Sequence, residues 1–202
     1  MPLDLNDPLT QVLLNESQRK GHFALRHNRH TNIKFFCEHL FHKRLDEAQK
    51  ICRVLAQKIS KALKENGIKR LNGVVVVGGA KLAGYEFTQQ LRRLEYNPSS
   101  LILTMRDPET EKLVLETGFE IKKSGIYLIF EDVVTTGESV RETISLVRKY
   151  NGEVTGLAYL IDRSGRKAQF DLPICEFLAA PEVEQWFPDE CPLCKRIPLD
   201  KI

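Results

Sequence analysis

The sequence predicts an α/β protein built on a doubly wound, mainly parallel sheet, and three observations carry that reading. Val74-Val75-Val76-Val77 is a wholly apolar, β-branched run closed by Gly78-Gly79, the pattern of a strand buried on both faces. Ile126 to Phe130 is a second such run. Helical and strand periodicities alternate around them, which argues for βαβ crossovers and places ligands at the carboxyl ends of the strands.

The remaining elements follow in order. Leu9, Val12 and Leu13 have helical spacing, and Leu45, Ala48, Cys52, Leu55, Ile59 and Leu63 mark a longer amphipathic helix ending at Asn66-Gly67. These two helices flank a short extended piece around Ile33 to Phe36. Gly84 to Arg93 reads as a helix, Leu101 to Met105 as a strand, and the polar, proline-containing stretch Arg106 to Leu115 as a loop. After the strand at Ile126 come a loop from Glu131 to Gly137, a helix from Val140 to Tyr150 stopped by Asn151-Gly152, and a strand from Leu157 to Ile161. No internal repeat is present.

Length and composition bound the function. A chain of 202 residues with 42% hydrophobic and 28% charged residues fits one globular domain and neither a disordered nor a membrane protein. The N-terminus carries acids and no apolar h-region, so a cytoplasmic location is expected. Cys37, Cys52 and Cys175 lie singly in apolar surroundings, as reduced core thiols do. Net charge is +3, yet Arg19 to Arg44 holds seven Lys or Arg against one Glu, together with all five histidines. An anion is expected there; the lack of any recognisable nucleic-acid module argues against nucleic acid. The pair Cys191 and Cys194 supplies two metal ligands where structural zinc takes four. It is therefore read as a packed tail, and His22, His27 and His30 as polar or surface residues.

The chemistry is concentrated in LIFEDVVTTGES, Leu128 to Ser139. A strand delivers the chain to a tight loop of small hydroxyl residues, and Ser139 with Glu142 has the spacing of a capping box opening the next helix. Backbone N–H groups and hydroxyls then converge at the positive end of a helix dipole, which makes a monophosphate site. Glu131 and Asp132 stand directly before it, where a bare phosphate would repel them. Ribose hydroxyls and Mg²⁺ satisfy those acids, so a sugar phosphate carrying a metal fits the whole run. Neither a G-x-x-x-x-G-K-[ST] nor a G-x-G-x-x-G pattern is present.

This stretch resembles the diphosphoribosyl-binding signature of type I phosphoribosyltransferases, and within them the orotate phosphoribosyltransferases. Lys20 to Cys37 is similar to their N-terminal hood segment, Gly78-Gly79-Ala80-Lys81 to their diphosphate loop, Gly118 to Ile121 to the stretch after their flexible loop, and Ile161-Asp162-Arg163 to their orotate-contacting Asp-Arg. The ending CPLCKRIPL looks like the tail of one bacterial subgroup. The resemblance implies a single phosphoribosyltransferase-like domain over 1–202, with a hood formed mainly by 20–40 and the C-terminal part and a core at about 45–165. It implies transfer of ribose 5-phosphate from 5-phosphoribosyl diphosphate to orotate, giving orotidine 5′-phosphate and diphosphate in pyrimidine nucleotide synthesis. Lys81, Arg106 and Asp132 are then catalytic. Gly79, Ala80, Lys81, Arg106, Glu131, Asp132, Val133, Val134, Thr135, Thr136, Gly137, Glu138 and Ser139 bind 5-phosphoribosyl diphosphate. Arg26, Thr135 and Arg163 bind orotate, and Mg²⁺ is held through the diphosphate and water near Glu131 and Asp132. A homodimer is expected.

The residues themselves agree in part. Gly79 and Ala80 allow close backbone approach to an anion, Lys81 adds a mobile positive charge, and Arg163 at a strand end is suited to fork a planar carboxylate. Residues 106–121 hold two basic and five acidic side chains, so this stretch is expected to repel a departing diphosphate. Two alternatives stay open: transfer to another base, and a non-catalytic regulatory protein that binds 5-phosphoribosyl diphosphate.

Overall fold

The computed structural model describes residues 6–25, 28–165, 167–179 and 183–200, with backbone alone at 175–177. The elements are α1 (Pro8–Ser17), β1 (Gln18–Leu25), β2 (Arg29–Phe35), α2 (Glu38–Lys43), α3 (Leu45–Glu65), β3 (Gly73–Val76), α4 (Lys81–Arg92), β4 (Ser100–Arg106), β5 (Leu113–Leu115), β6 (Ile126–Val134), α5 (Glu138–Lys149), β7 (Glu153–Asp162), β8 (Cys175–Ala179) and β9 (Gln185–Trp186). Six strands form the main sheet in the order β5-β4-β3-β6-β7-β8, parallel except for β5. This is the α/β class that the alternating pattern predicts.

Residue alternation divides the core. Val74, Val76, Leu128 and Phe130 pack with α3 and α4, while Val75, Val77, Ile129 and Leu157 pack with α5. Every second residue of a strand faces the same side, so helices on both faces require runs with no polar interruption. Helix α4 lies so close to β3 that a Cβ at Gly84 would meet Val76 Cγ2 at 2.4 Å. The connections β3-α4-β4 and β6-α5-β7 diverge in opposite directions from neighbouring strands. Their divergence opens a crevice at the carboxyl ends of β3 and β6.

Several boundaries differ from expectation. β6 runs past Phe130 to Val134 because β7 continues to pair with it through Val133↔Ile161 and Val134↔Asp162. The stretch 106–115 is a hairpin: β5 pairs antiparallel with β4, and Asp107 Oδ1 accepts bonds from Thr110 N at 2.8 Å and Glu109 N at 3.1 Å. Helix α1 begins where Asp7 Oδ1 accepts from Leu9 N and Thr10 N, with Pro8 at the first turn.

A second, three-stranded sheet β1-β2-β9 stands over the crevice. The C-terminal tail is stitched to it: Asp200 accepts from His22 N at 2.7 Å and donates its own N–H to His22 O at 2.8 Å. No helix among the described residues is long and apolar enough to cross a membrane.

Candidate active site

The crevice is a cleft of about 550 Å³ whose floor is the carboxyl ends of β3, β4 and β6 and whose roof is the small sheet. Gly78, Gly79 and Lys81 enter from the β3–α4 loop, Met105 and Arg106 from β4, and Glu131 with 133–140 from β6 and the start of α5. Ala24, Leu25, Lys34 and Gln185 close it from above.

The anion loop forms as its sequence demands, with one correction. Gly137 caps α5 in the left-handed region, φ 76°, which a β-carbon would strain and where it would also meet Phe170 at 2.7 Å. Helix α5 therefore starts at Glu138, and Ser139 lies inside its first turn instead of capping it in a box with Glu142. Ser139 Oγ instead accepts a bond from Arg106 Nη2 at 3.1 Å, and Glu142 Oε2 pairs with the same nitrogen at 2.7 Å. Residues 137–139 line the cleft at the positive end of the helix, with Glu138 N donating to Thr136 Oγ1 at 3.4 Å. On the opposite wall, Gly78 N donates to the buried Thr104 Oγ1 at 3.0 Å, which fixes the turn that presents Gly79 and Lys81.

The cations are poised but occupied. Lys81 Nζ lies 2.6 Å from Glu116, with half of the lysine side chain exposed. A partly exposed pair of this kind is worth about 0–1 kcal/mol, so Lys81 is held only weakly. Two of the five acids of 106–121 have such roles: Asp107 holds its own turn, and Glu116 pairs with Lys81.

The expected residues do not all meet. Those assigned to 5-phosphoribosyl diphosphate line the cleft except Ala80 and Asp132. Asp132 Oδ1 accepts from Val133 N at 2.8 Å, and its charge acts on Cys37 and Glu38 at the α2 side. Its N–H donates to Glu131 Oε1 at 3.2 Å, so the two acids lie side by side. Arg163 is likewise not among the lining residues. It is 3% exposed, and its Nη2 donates to Thr31 Oγ1 and Ile33 O of β2 at 3.1 Å each. Strand β7 ends there, and Nη2 braces the roof while Nε is buried without a hydrogen-bond partner. Arg26 lies outside the described residues. Lys34, which the sequence reading did not single out, is a roof cation in the cleft; burial, and then the charge of Arg163, lowers its pKa. The basic excess at 19–44 was its one signal. Other cations of that stretch are engaged, Arg19 with His39, Arg29 over Phe187 and Arg44 with Glu16 and Glu47.

Glu131 is the buried acid of the cleft. Burial pushes its pKa well up, the neighbouring Asp132 adds to the rise, and Arg106 opposes it. A magnesium ion bound largely through phosphate oxygens and water needs only one or two protein carboxylates, so Glu131 fits that demand. A raised pKa means that the folded chain holds the proton more tightly than the unfolded one. Its contribution to stability therefore falls as pH rises from the ordinary glutamate range through the raised value. Glu131→Gln is expected to raise Tm by a few degrees at about pH 8, to change it little near about pH 4, and to weaken ribose-ligand binding. Melting curves at both pH values check this; equal shifts at the two would exclude ionisation as the cause.

Comparison with known proteins agrees with this geometry. No protein-family model matches the chain. It is 33% identical over 178 residues to the orotate phosphoribosyltransferase of Carboxydothermus hydrogenoformans, covering 87% of this chain and 84% of that protein. It is 35% identical over 183 residues to that of Caldicellulosiruptor bescii, covering 90% and 88%. The crystal structure of orotate phosphoribosyltransferase from Aeropyrum pernix shares the fold, with a TM-score of 0.59 at 19% identity over 85% of this chain and 93% of that one. The chain belongs to the orotate phosphoribosyltransferase family.

Proposed function

We propose that the chain transfers the ribose 5-phosphate of 5-phosphoribosyl diphosphate to orotate. One observation carries the reading: a single cleft is lined by the anion loop at the start of α5, by Arg106 bonded to Ser139 of that loop, by Lys81 and by Glu131. A phosphate at the anion loop, a diphosphate near Lys81 and Arg106, and ribose hydroxyls at Glu131 fit that set of groups. The N–H groups and hydroxyls of 134–139 hold the 5′-phosphate, Lys81 and Arg106 meet the diphosphate, and Glu131 accepts ribose hydroxyls and holds Mg²⁺ through water. Bound Mg²⁺ supplies charge neutralisation on the diphosphate.

The bond from C1 to the diphosphate oxygen breaks, its electrons leave with diphosphate, and a base nitrogen bonds to C1 while its N–H proton is given up to solvent. Positive charge builds on the ribose and negative charge on the leaving group. The chain's task is therefore positional and electrostatic, and no protein nucleophile is needed. Lys34 and the backbone at Thr135 orient the orotate carboxylate and ring. A second copy is the proposed partner, supported by the exposed apolar side chains Leu82, Tyr85 and Met105 beside the cleft. A reducing compartment, the cytoplasm, is supported by the free thiols of Cys37, Cys52, Cys191 and Cys194.

The test offers orotate, uracil, adenine and hypoxanthine separately with 5-phosphoribosyl diphosphate and Mg²⁺. Nucleotide formation from orotate alone is expected. Turnover of a purine, or of none of the four, would overturn the assignment.

A further inference from the structure

Away from the cleft, on the far side of the hood, four side chains that the sequence reading set aside as non-ligands come together. His22, His30, Cys191 and Cys194 bring one donor atom each to within 4.8 Å of one another. His22 Nε2 lies 3.0 Å from His30 Nδ1, 3.5 Å from Cys191 Sγ and 3.7 Å from Cys194 Sγ; His30 Nδ1 lies 3.1 Å from Cys194 Sγ. Zinc bonds of ordinary length in a tetrahedron put ligand atoms roughly 3.3 Å apart for two nitrogens and about 3.6 Å apart for nitrogen and sulfur. Four of the six spacings follow those edges to within about half an ångström, and all six lie within 4.8 Å. From this convergence we propose that His22, His30, Cys191 and Cys194 form a structural zinc site.

The surroundings are built for it. His22 Nδ1 lies 2.8 Å from Ile197 O, and a carbonyl oxygen only accepts, so Nδ1 carries the proton and the Nε2 lone pair of the neutral ring faces the cluster. Such an outer hydrogen bond orients and strengthens a histidine ligand. Cys191 to Cys194 is a tight turn, with Cys194 N donating to Cys191 O at 3.3 Å and Ile197 N to Leu193 O at 2.9 Å, which aims two sulfurs at one point. A bulge in β1 between Lys20 and Phe23 releases His22 from strand pairing, and Asp200 takes up its backbone. Gly21 leaves room for that carboxylate, since a Cβ there would meet Asp200 Oδ2 at 2.1 Å. Three of the ligands, His22, His30 and Cys191, are buried. Two thiolates and two neutral imidazoles balance one Zn²⁺, and a mixed sulfur and nitrogen tetrahedron selects zinc among the divalent ions.

The site has a purpose in the architecture. His22 and His30 belong to β1 and β2, the hairpin that brings Ala24, Leu25 and Lys34 to the roof of the cleft, and the cysteines belong to the C-terminal tail. One ion ties two distant parts of the chain together where the small sheet has little core of its own. The structural role is stability of the roof, independent of which base the cleft accepts.

The test uses the full chain without an affinity tag, purified after growth with added zinc. Elemental analysis is expected to find about one zinc per chain, and the apo protein prepared by chelation is expected to regain roughly 5 °C or more in Tm when Zn²⁺ is restored. Cys194→Ser, at the exposed ligand, should lose most of the metal. Should that variant fold poorly, Co²⁺ in the wild-type protein decides, since tetrahedral thiolate ligation gives intense visible bands and a sulfur-to-cobalt charge-transfer band. A folded, reduced wild-type chain that takes up no zinc and gives a weak octahedral cobalt spectrum would overturn the proposal, as would a Cys191–Cys194 disulfide that, once reduced, still binds no metal.

Discussion

Arg106→Ala is expected to lower kcat/KM by roughly 10²–10³, about 3–4 kcal/mol, the loss seen when one preorganised charge-stabilising donor is removed. Arg106 ends β4, and its Nη1 donates to Glu111 O at 2.6 Å while Nη2 meets Ser139 Oγ and Glu142 Oε2. Three elements thus fix the guanidinium before any ligand arrives. Its positive charge also opposes the rise in the pKa of Glu131, so its removal leaves that acid harder to ionise. Arg106→Lys keeps the charge without the planar fork and should recover only part of the loss. Steady-state kinetics with both substrates varied measures the effect. An Arg106→Ala enzyme within threefold of wild type would show that the diphosphate leaves elsewhere.

Arg163→Ala is expected to have the largest effect on stability, about 2–4 kcal/mol, from two lost charge-assisted bonds and the cavity left behind. That corresponds to roughly 5–15 °C in Tm for a chain of this size. Burial lowers the pKa of Arg163 to about 10, so the guanidinium stays charged at neutral pH and its bonds to Thr31 and Ile33 keep their charge assistance. Because those bonds hold the roof, both substrates should weaken together. Loss of orotate binding alone, at unchanged Tm, would instead show Arg163 to be a reader of the base.

The parts of the fold that were legible in the sequence are those where one local rule decides. The runs at Val74 and Ile126 are apolar on both faces, and α3 carries an unbroken apolar stripe of Ala48, Cys52, Leu55, Ile59 and Leu63. The anion loop was legible because a strand end, small hydroxyl residues and a glycine have few other uses together. The hood was not. β1 is half-exposed and broken by a bulge at Gly21-His22, so its period-two signal vanishes, and β2 showed only at its end near Ile33 to Phe36. β5 is three residues long on an edge and gains its identity from pairing with β4. Side-chain contacts were the least legible feature: Asp132 and Arg163 sit at the expected places on the chain, yet neither is part of the cleft lining, and Arg163 Nη2 is bonded to β2. The four clustered His and Cys residues were missed because the two pairs are about 160 positions apart, and neither pair alone has a complete ligand set.

The most direct test of the account is the melting curve of the purified chain with 5-phosphoribosyl diphosphate and Mg²⁺. A ligand bound only by the native state at a hundred times its Kd adds about 2.7 kcal/mol, so a rise of roughly 5–10 °C is expected. Lys81→Ala, altering a side chain half exposed in the ligand-free protein, should shrink that rise without lowering the starting Tm. A melting curve left unmoved by millimolar ligand in a well-folded sample would contradict the assignment of this cleft.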